Sequence, residues 1–285
     1  MGTGAMIDKF RWYEKILVYI GMLVFLTFII APFVEGFLVS LKPLSLLFSS
    51  PYRFWPENGS FDAYFRMWTT VPLLGRYIIN SIFIALVGSS IALVLIIPAS
   101  YALARMAFKG RGAVLGGMLT INMFSGAVLI IPLFQLLRNL GLLNTYFAMI
   151  VPGVAFTIGT GVWLLRAYLL RIPRELEEAA WVDGASRFYI LRRVILPIAA
   201  PGILVVAIYC FLTIYAQQFI YAITFNSKSE YMPLAVGLFG FFGRQDVVWN
   251  ELMAASFAGI APVVIVFIFL QRYLVAGLTA GAVKT

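Results

Sequence analysis

Six apolar runs, at about 16–34, 78–103, 114–137, 146–165, 201–225 and 252–270, limit what this chain can fold into. A helix needs about 20 apolar residues to cross the hydrocarbon core of a bilayer. Lipid offers the backbone no hydrogen-bond partners, and a helix meets that constraint by bonding its own groups. Composition agrees: 62% of the 285 residues are hydrophobic and 12% charged, against about 45–50% and 25% in soluble domains. The first run follows Lys9, Arg11 and Lys15, as the core of a signal peptide would. It is longer than such a core and shows no small-residue cleavage site, so it reads as the first membrane helix. The expectation is an all-α integral membrane protein with about six transmembrane helices.

A net charge of +9 would suggest nucleic acid in a soluble chain. Here the basic residues fall between the apolar runs. One set of alternate segments, including both ends of the chain, holds fourteen Lys and Arg, and the other set holds seven. Positive charge stays on the cytoplasmic side, which puts both termini inside a prokaryotic inner membrane. Residues 42–77, rich in Pro and in aromatics such as Trp55 and Trp68, read as an external loop with short interfacial helices. Residues 226–249 read as a second external loop. Histidine is absent, which removes the commonest general base and metal ligand. The one cysteine, Cys210, sits inside an apolar run and reads as a packing residue. Pro32, Pro98, Pro132, Pro152 and Pro262 each remove a backbone donor and favour a kink.

One polar stretch stands out, RIPRELEEAAWVDGASRFYILRRVILPIAAP at 171–201. Pro173 suits the first turn of a helix, and Glu175, Glu177 and Glu178 suit its positive end. Asp183-Gly184 stops that helix, and Ser186 caps a second one. Pro197 and Pro201 break the chain before it enters the membrane. The expected object is a cytoplasmic helix–turn–helix whose turn is built of small residues, Ala179, Ala180, Gly184 and Ala185. Such a knuckle fits a groove on a partner. An ordinary solvated connector with its charges outward has the same composition.

The string Glu178-Ala179-Ala180, then Asp183-Gly184-Ala185, then Leu196-Pro197, resembles the EAA motif of ABC importer permeases. Asn80-Ser81, Tyr101-Ala102-Leu103-Ala104-Arg105, Ile131-Pro132 and Gly141-Leu142-Leu143-Asn144-Thr145 are also similar to that family. Met232-Pro233-Leu234, Trp249 and the tail from Gln271 to Lys284 resemble its carbohydrate branch, typified by the maltose-transporter permease MalG. The resemblance implies a type I importer permease with a MetI-like core. Residues 1–75 then hold the N-terminal tail, first helix and external loop. Residues 76–275 hold a core of five transmembrane helices with the EAA loop 171–200, and 276–285 the C-terminal tail. It implies that Glu178, Ala179, Ala180, Asp183, Gly184, Ala185 and Pro197 couple to an ATPase, and that Gly277, Thr279, Gly281 and Lys284 reach between ATPase subunits. The implied partners are a second homologous permease, two ATPase subunits, an external substrate-binding protein, membrane lipid and a sugar. One departure matters: where the branch carries a Trp-Asn-acidic-Phe string, this chain reads Ala216-Gln217-Gln218-Phe219. Tyr215, Gln217, Gln218 and Tyr221 are the candidate substrate-pathway residues. Polar side chains also bridge helices in membranes.

No G-x-x-x-x-G-K-[ST] phosphate loop occurs, so ATP and Mg belong on partner subunits and this chain is expected to hold no cofactor, metal or catalytic residue. A secondary transporter usually places ionisable residues inside the membrane, and these runs hold almost none. The expected cargo is a di- or oligosaccharide, with glycerol-phosphate or polyol substrates as the alternative.

Overall fold

The structure, a computed structural model, describes residues 11–279 apart from 52, 57, 122, 124, 125, 127, 244 and 245, and the side chains of 119, 121 and 269–279 lie outside that description. In chain order the helices are α1 (Trp12–Leu41), α2 (Leu44–Leu47), α3 (Asp62–Thr70), α4 (Leu74–Arg105), α5 (Arg111–Ile121) and α6 (Ile130–Asn139). There follow α7 (Phe147–Leu169), α8 (Glu175–Val182), α9 (Arg187–Ile190), α10 (Leu196–Phe225), α11 (Leu234–Gly237) and α12 (Trp249–Thr279). Five helical segments among the described residues are long and apolar enough to cross a membrane: α1, α4, α7, the joined α9–α10 and α12.

Two expectations are corrected. The third apolar run is not one helix over 114–137 but two, α5 and α6, of 11 and 10 residues. Gly112, Gly116 and Gly117 weaken the first piece, since each glycine costs about 1 kcal/mol against alanine in a helix. Tight turns, Met123 N–H to Thr120 O at 3.0 Å and Leu129 N–H to Gly126 O at 3.2 Å, then interrupt the run. Nor do Pro197 and Pro201 break the chain. A π-helical turn, Leu191–Ile195, joins α9 to α10, with Leu196 N–H bonded to Leu191 O. Pro197 is the second residue of α10, directly after the π turn, and α10 runs on through Pro201. The result is one helical rod, Arg187–Phe225, of 39 residues and about 58 Å at 1.5 Å per residue.

The chain divides into two compact units. One comprises residues up to Leu74 with Leu238–Ala261. Within it, Ser40 Oγ donates to Phe37 O at 2.6 Å and lies 3.0 Å from Tyr64 Oη, while Phe37 meets Phe257 edge-on. Thr70 donates to the buried Glu251 carboxylate at 2.5 Å, and Lys42 pairs with Glu35 at 3.6 Å. The 18-residue apolar window of α1 has none of its residues buried inside the chain. A helix apolar on all sides in this way suits lipid or a partner helix.

The other unit, Gly75–Gly237 with α12 from Pro262 on, holds the main core. Ile84, Ile96, Ile150, Val162, Leu165, Val206, Cys210 and Ile214 interlock α4, α7 and α10. Close approach depends on small residues: a Cβ at Gly161 would collide with Ile96, and one at Gly202 would lie 2.5 Å from the Tyr168 ring. Lipid is as apolar as leucine, so helices in membranes associate through tight packing of this kind.

Candidate functional site: an elbow at one end of the helices

The two-helix elbow is built as its local chemistry requires. α8 begins at Glu175, two residues after Pro173, with Glu175, Glu177 and Glu178 in its first turn. It ends at Val182, and Gly184 takes φ +78°, the left-handed region that glycine reaches without cost. Gly184 N–H bonds Trp181 O at 2.9 Å and Ala185 N–H bonds Ala180 O at 3.0 Å, which closes the helix end. Ser186 Oγ accepts from Tyr189 N–H at 3.3 Å and starts α9.

Glu177 turns inward and is 2% exposed. Its Oε1 lies 2.6 Å from Arg105 Nε, and its Oε2 accepts from Tyr101 Oη at 3.0 Å. Arg105 Nη2 also donates to Ile172 O at 2.8 Å, and Arg166 Nε donates to Leu103 O at 3.1 Å. The ion pair and these hydrogen bonds fasten the elbow to the end of α4 and join the last turns of α4 and α7. Next to this knot lies a cavity of about 140 Å³ lined by Tyr101, Arg105, Met106, Ala107, Trp181 and Arg187. The sequence reading missed Tyr101, Arg105 and Glu177 as site residues. Their signal was a charge of each sign in a chain poor in charge, but nothing in the sequence pairs them.

The residues expected to couple point the other way. Glu178, Ala179, Asp183, Gly184 and Pro197 are exposed, while Ala180 and Ala185 are half-buried against the core. Around them Leu176, Trp181, Val182, Phe188 and Tyr189 stand exposed, Val182 at 88%. Apolar side chains grouped on a short, well-anchored elbow make a surface suited to a partner. Among the described residues, a Cβ at Gly184 would meet nothing within 4 Å.

The four pathway candidates do not converge. Tyr215, Gln218 and Tyr221 recur every three residues and share one face of α10, whereas Gln217 is exposed on another. Tyr215 stacks on Phe211 and Tyr221 on Phe156 and Phe225. Gln218, 1% exposed, donates from Nε2 to Ser81 O at 2.8 Å. Of the tail residues, Gly277 and Thr279 continue the α12 backbone, and Gly281 and Lys284 lie outside the described residues. Among the described residues no group of three or more His, Cys, Asp or Glu could hold a metal ion.

The sequence profile of the family described as "binding-protein-dependent transport system inner membrane component" matches residues 96–280. The inner membrane ABC transporter permease protein YcjP of Escherichia coli (strain K12) is 34% identical over 96% of this chain and 98% of its own length. The trehalose/maltose transport system permease protein MalG of Thermococcus litoralis is 34% identical over 95% of this chain and 97% of its own. Among solved structures, a chain of a bacterial ABC transporter that imports the acidic polysaccharide alginate superposes with a TM-score of 0.76 at 23% identity, covering 93% of this chain and 98% of that one.

Proposed function

Since the chain belongs to the family of binding-protein-dependent transport system inner membrane components and is an ABC importer permease, we propose that it forms half of a pathway for a di- or oligosaccharide, driven through its elbow by separate ATPase subunits. A second homologous permease completes the pathway, and an external binding protein delivers the sugar. ATP and Mg sit on the two ATPase subunits, so this chain holds neither and catalyses no reaction. Both termini and the elbow face the cytoplasm, in keeping with the excess of Lys and Arg in those segments. The sugar assignment follows the trehalose/maltose relative.

One observation carries the mechanism: the elbow is tied to the end of α4 by a buried Glu177–Arg105 pair while its Glu178–Ala185 side is exposed and apolar at its edges. Closing of the ATPase pair pushes on the exposed side. The buried side passes that push to α4, and the continuous α9–α10 rod passes it along the bundle, which opens alternately to each face. The test reconstitutes the permease pair, ATPases and cognate binding protein in proteoliposomes, with the binding protein first screened against disaccharides, oligosaccharides, polyols and glycerol phosphates. Sugar uptake that requires both ATP and the ATPase subunits is expected. Uptake that persists without the ATPase subunits overturns the reading.

A further inference from the structure

At the end of the bundle opposite the elbow, three buried polar side chains tie one loop to two helices. Asn80 and Ser81 lie near the start of α4, 3% and 2% exposed. Asn80 Nδ2 donates to Glu230 O and Met232 O, both at 2.9 Å, and its Oδ1 accepts from Tyr146 Oη at 2.9 Å. Ser81 Oγ accepts from Leu234 N–H at 2.9 Å. These bonds grip the main chain of loop 226–237, whatever its side chains. Ser81 has a second role, since its carbonyl takes the Gln218 bond from the membrane rod. One residue thus holds the loop through its hydroxyl and α10 through its main chain.

Gln218 is only half satisfied. Among the described residues its Oε1 is buried with no hydrogen-bond partner, an uncommon state for a native buried group. Gln218 lies seven residues before the end of α10, and the same rod runs without a break to the elbow at its other end. A directional hydrogen bond resists sliding in a way that apolar contact does not, so a shift of the loop acts on α10 at this point.

We propose that Asn80, Ser81 and Gln218 are positioning residues that relay the position of loop 226–237 to α10 and so to the elbow. This rests on the importer reading, in which an external binding protein lands on the loop end of the bundle. The loop's displacement on docking moves α10 through the Gln218–Ser81 bond.

The assembled complex tests it through the ratio of ATPase activity with liganded binding protein to activity without. Ser81→Ala and Gln218→Met should each lower that ratio about tenfold, the scale of one lost hydrogen bond. The double variant should fall no further, because the two act in series. Ser89→Ala, a buried hydroxyl on α4 bonded to Leu86 O of its own helix, should leave the ratio unchanged. A wild-type ratio in either variant, or a double variant whose losses multiply, overturns the relay. Failure of both single variants to assemble while Ser89→Ala assembles also overturns it, because the bonds then serve folding alone. A wild-type complex that its binding protein does not stimulate instead overturns the importer reading.

Discussion

At the residue scale, Glu177 and Gly184 divide the labour of the elbow. Glu177 and Arg105 are both nearly inaccessible, with side-chain exposures of 3% and 6%. Removing one partner of such a pair leaves a buried charge, which costs about 3–5 kcal/mol, whereas an apolar pair of similar volume is often tolerated. Thermal unfolding of the purified protein should therefore show Glu177→Ala strongly destabilised and Glu177→Leu with Arg105→Met close to wild type. Gly184 contributes differently. A Cβ there meets nothing within 4 Å among the described residues, so the cost of adding one is that of the left-handed backbone, about 1–2 kcal/mol. Gly184→Trp should leave insertion and assembly intact yet abolish sugar uptake, while the ATPase still turns over. Coupled uptake at the wild-type rate in that variant would mean that no partner groove closes on the turn.

At the scale of elements, the π turn Leu191–Ile195 decides how the elbow is carried. A break at Pro197 and Pro201 would have left α9 a loose piece hinged on the membrane helix. The wider turn instead absorbs the mismatch and keeps the rod continuous. Inserting one further residue after this turn, beyond the one the π turn absorbs, would rotate α9 by about 100° relative to α10, at 3.6 residues per turn. The expected outcome is a stably inserted protein whose basal ATPase survives and whose uptake is lost, measured side by side in proteoliposomes. The third apolar run teaches the complementary lesson. Its hydrophobicity promised one helix, but its glycines and the turns between Thr120 and Leu129 divide it into α5 and α6.

At the scale of the whole molecule, orientation ties these parts to function. Cys210 is buried, so a Cys210→Ala background accepts single cysteines elsewhere. In cells lacking the ATPase subunits, a cysteine at Ala179 should react with a membrane-impermeant maleimide only after the cells are opened, and one at Ser227 in intact cells. The reverse labelling would place the elbow outside, where no cytoplasmic ATPase could reach it. Much of this was legible in the sequence: the membrane class follows from run length alone, because lipid cannot hydrogen-bond a backbone. The stop at Asp183-Gly184 and the cap at Ser186 were legible too, since both are set by neighbours within a few residues. What the tertiary structure alone decided is which polar groups meet across the bundle. Glu177 finds Arg105 from 72 positions away, and Gln218 finds Ser81 from 137. Helix periodicity says which face a residue lies on, but partner choice depends on how deep each helix sits beside its neighbour, and that is settled only when small residues such as Gly161 let the helices close.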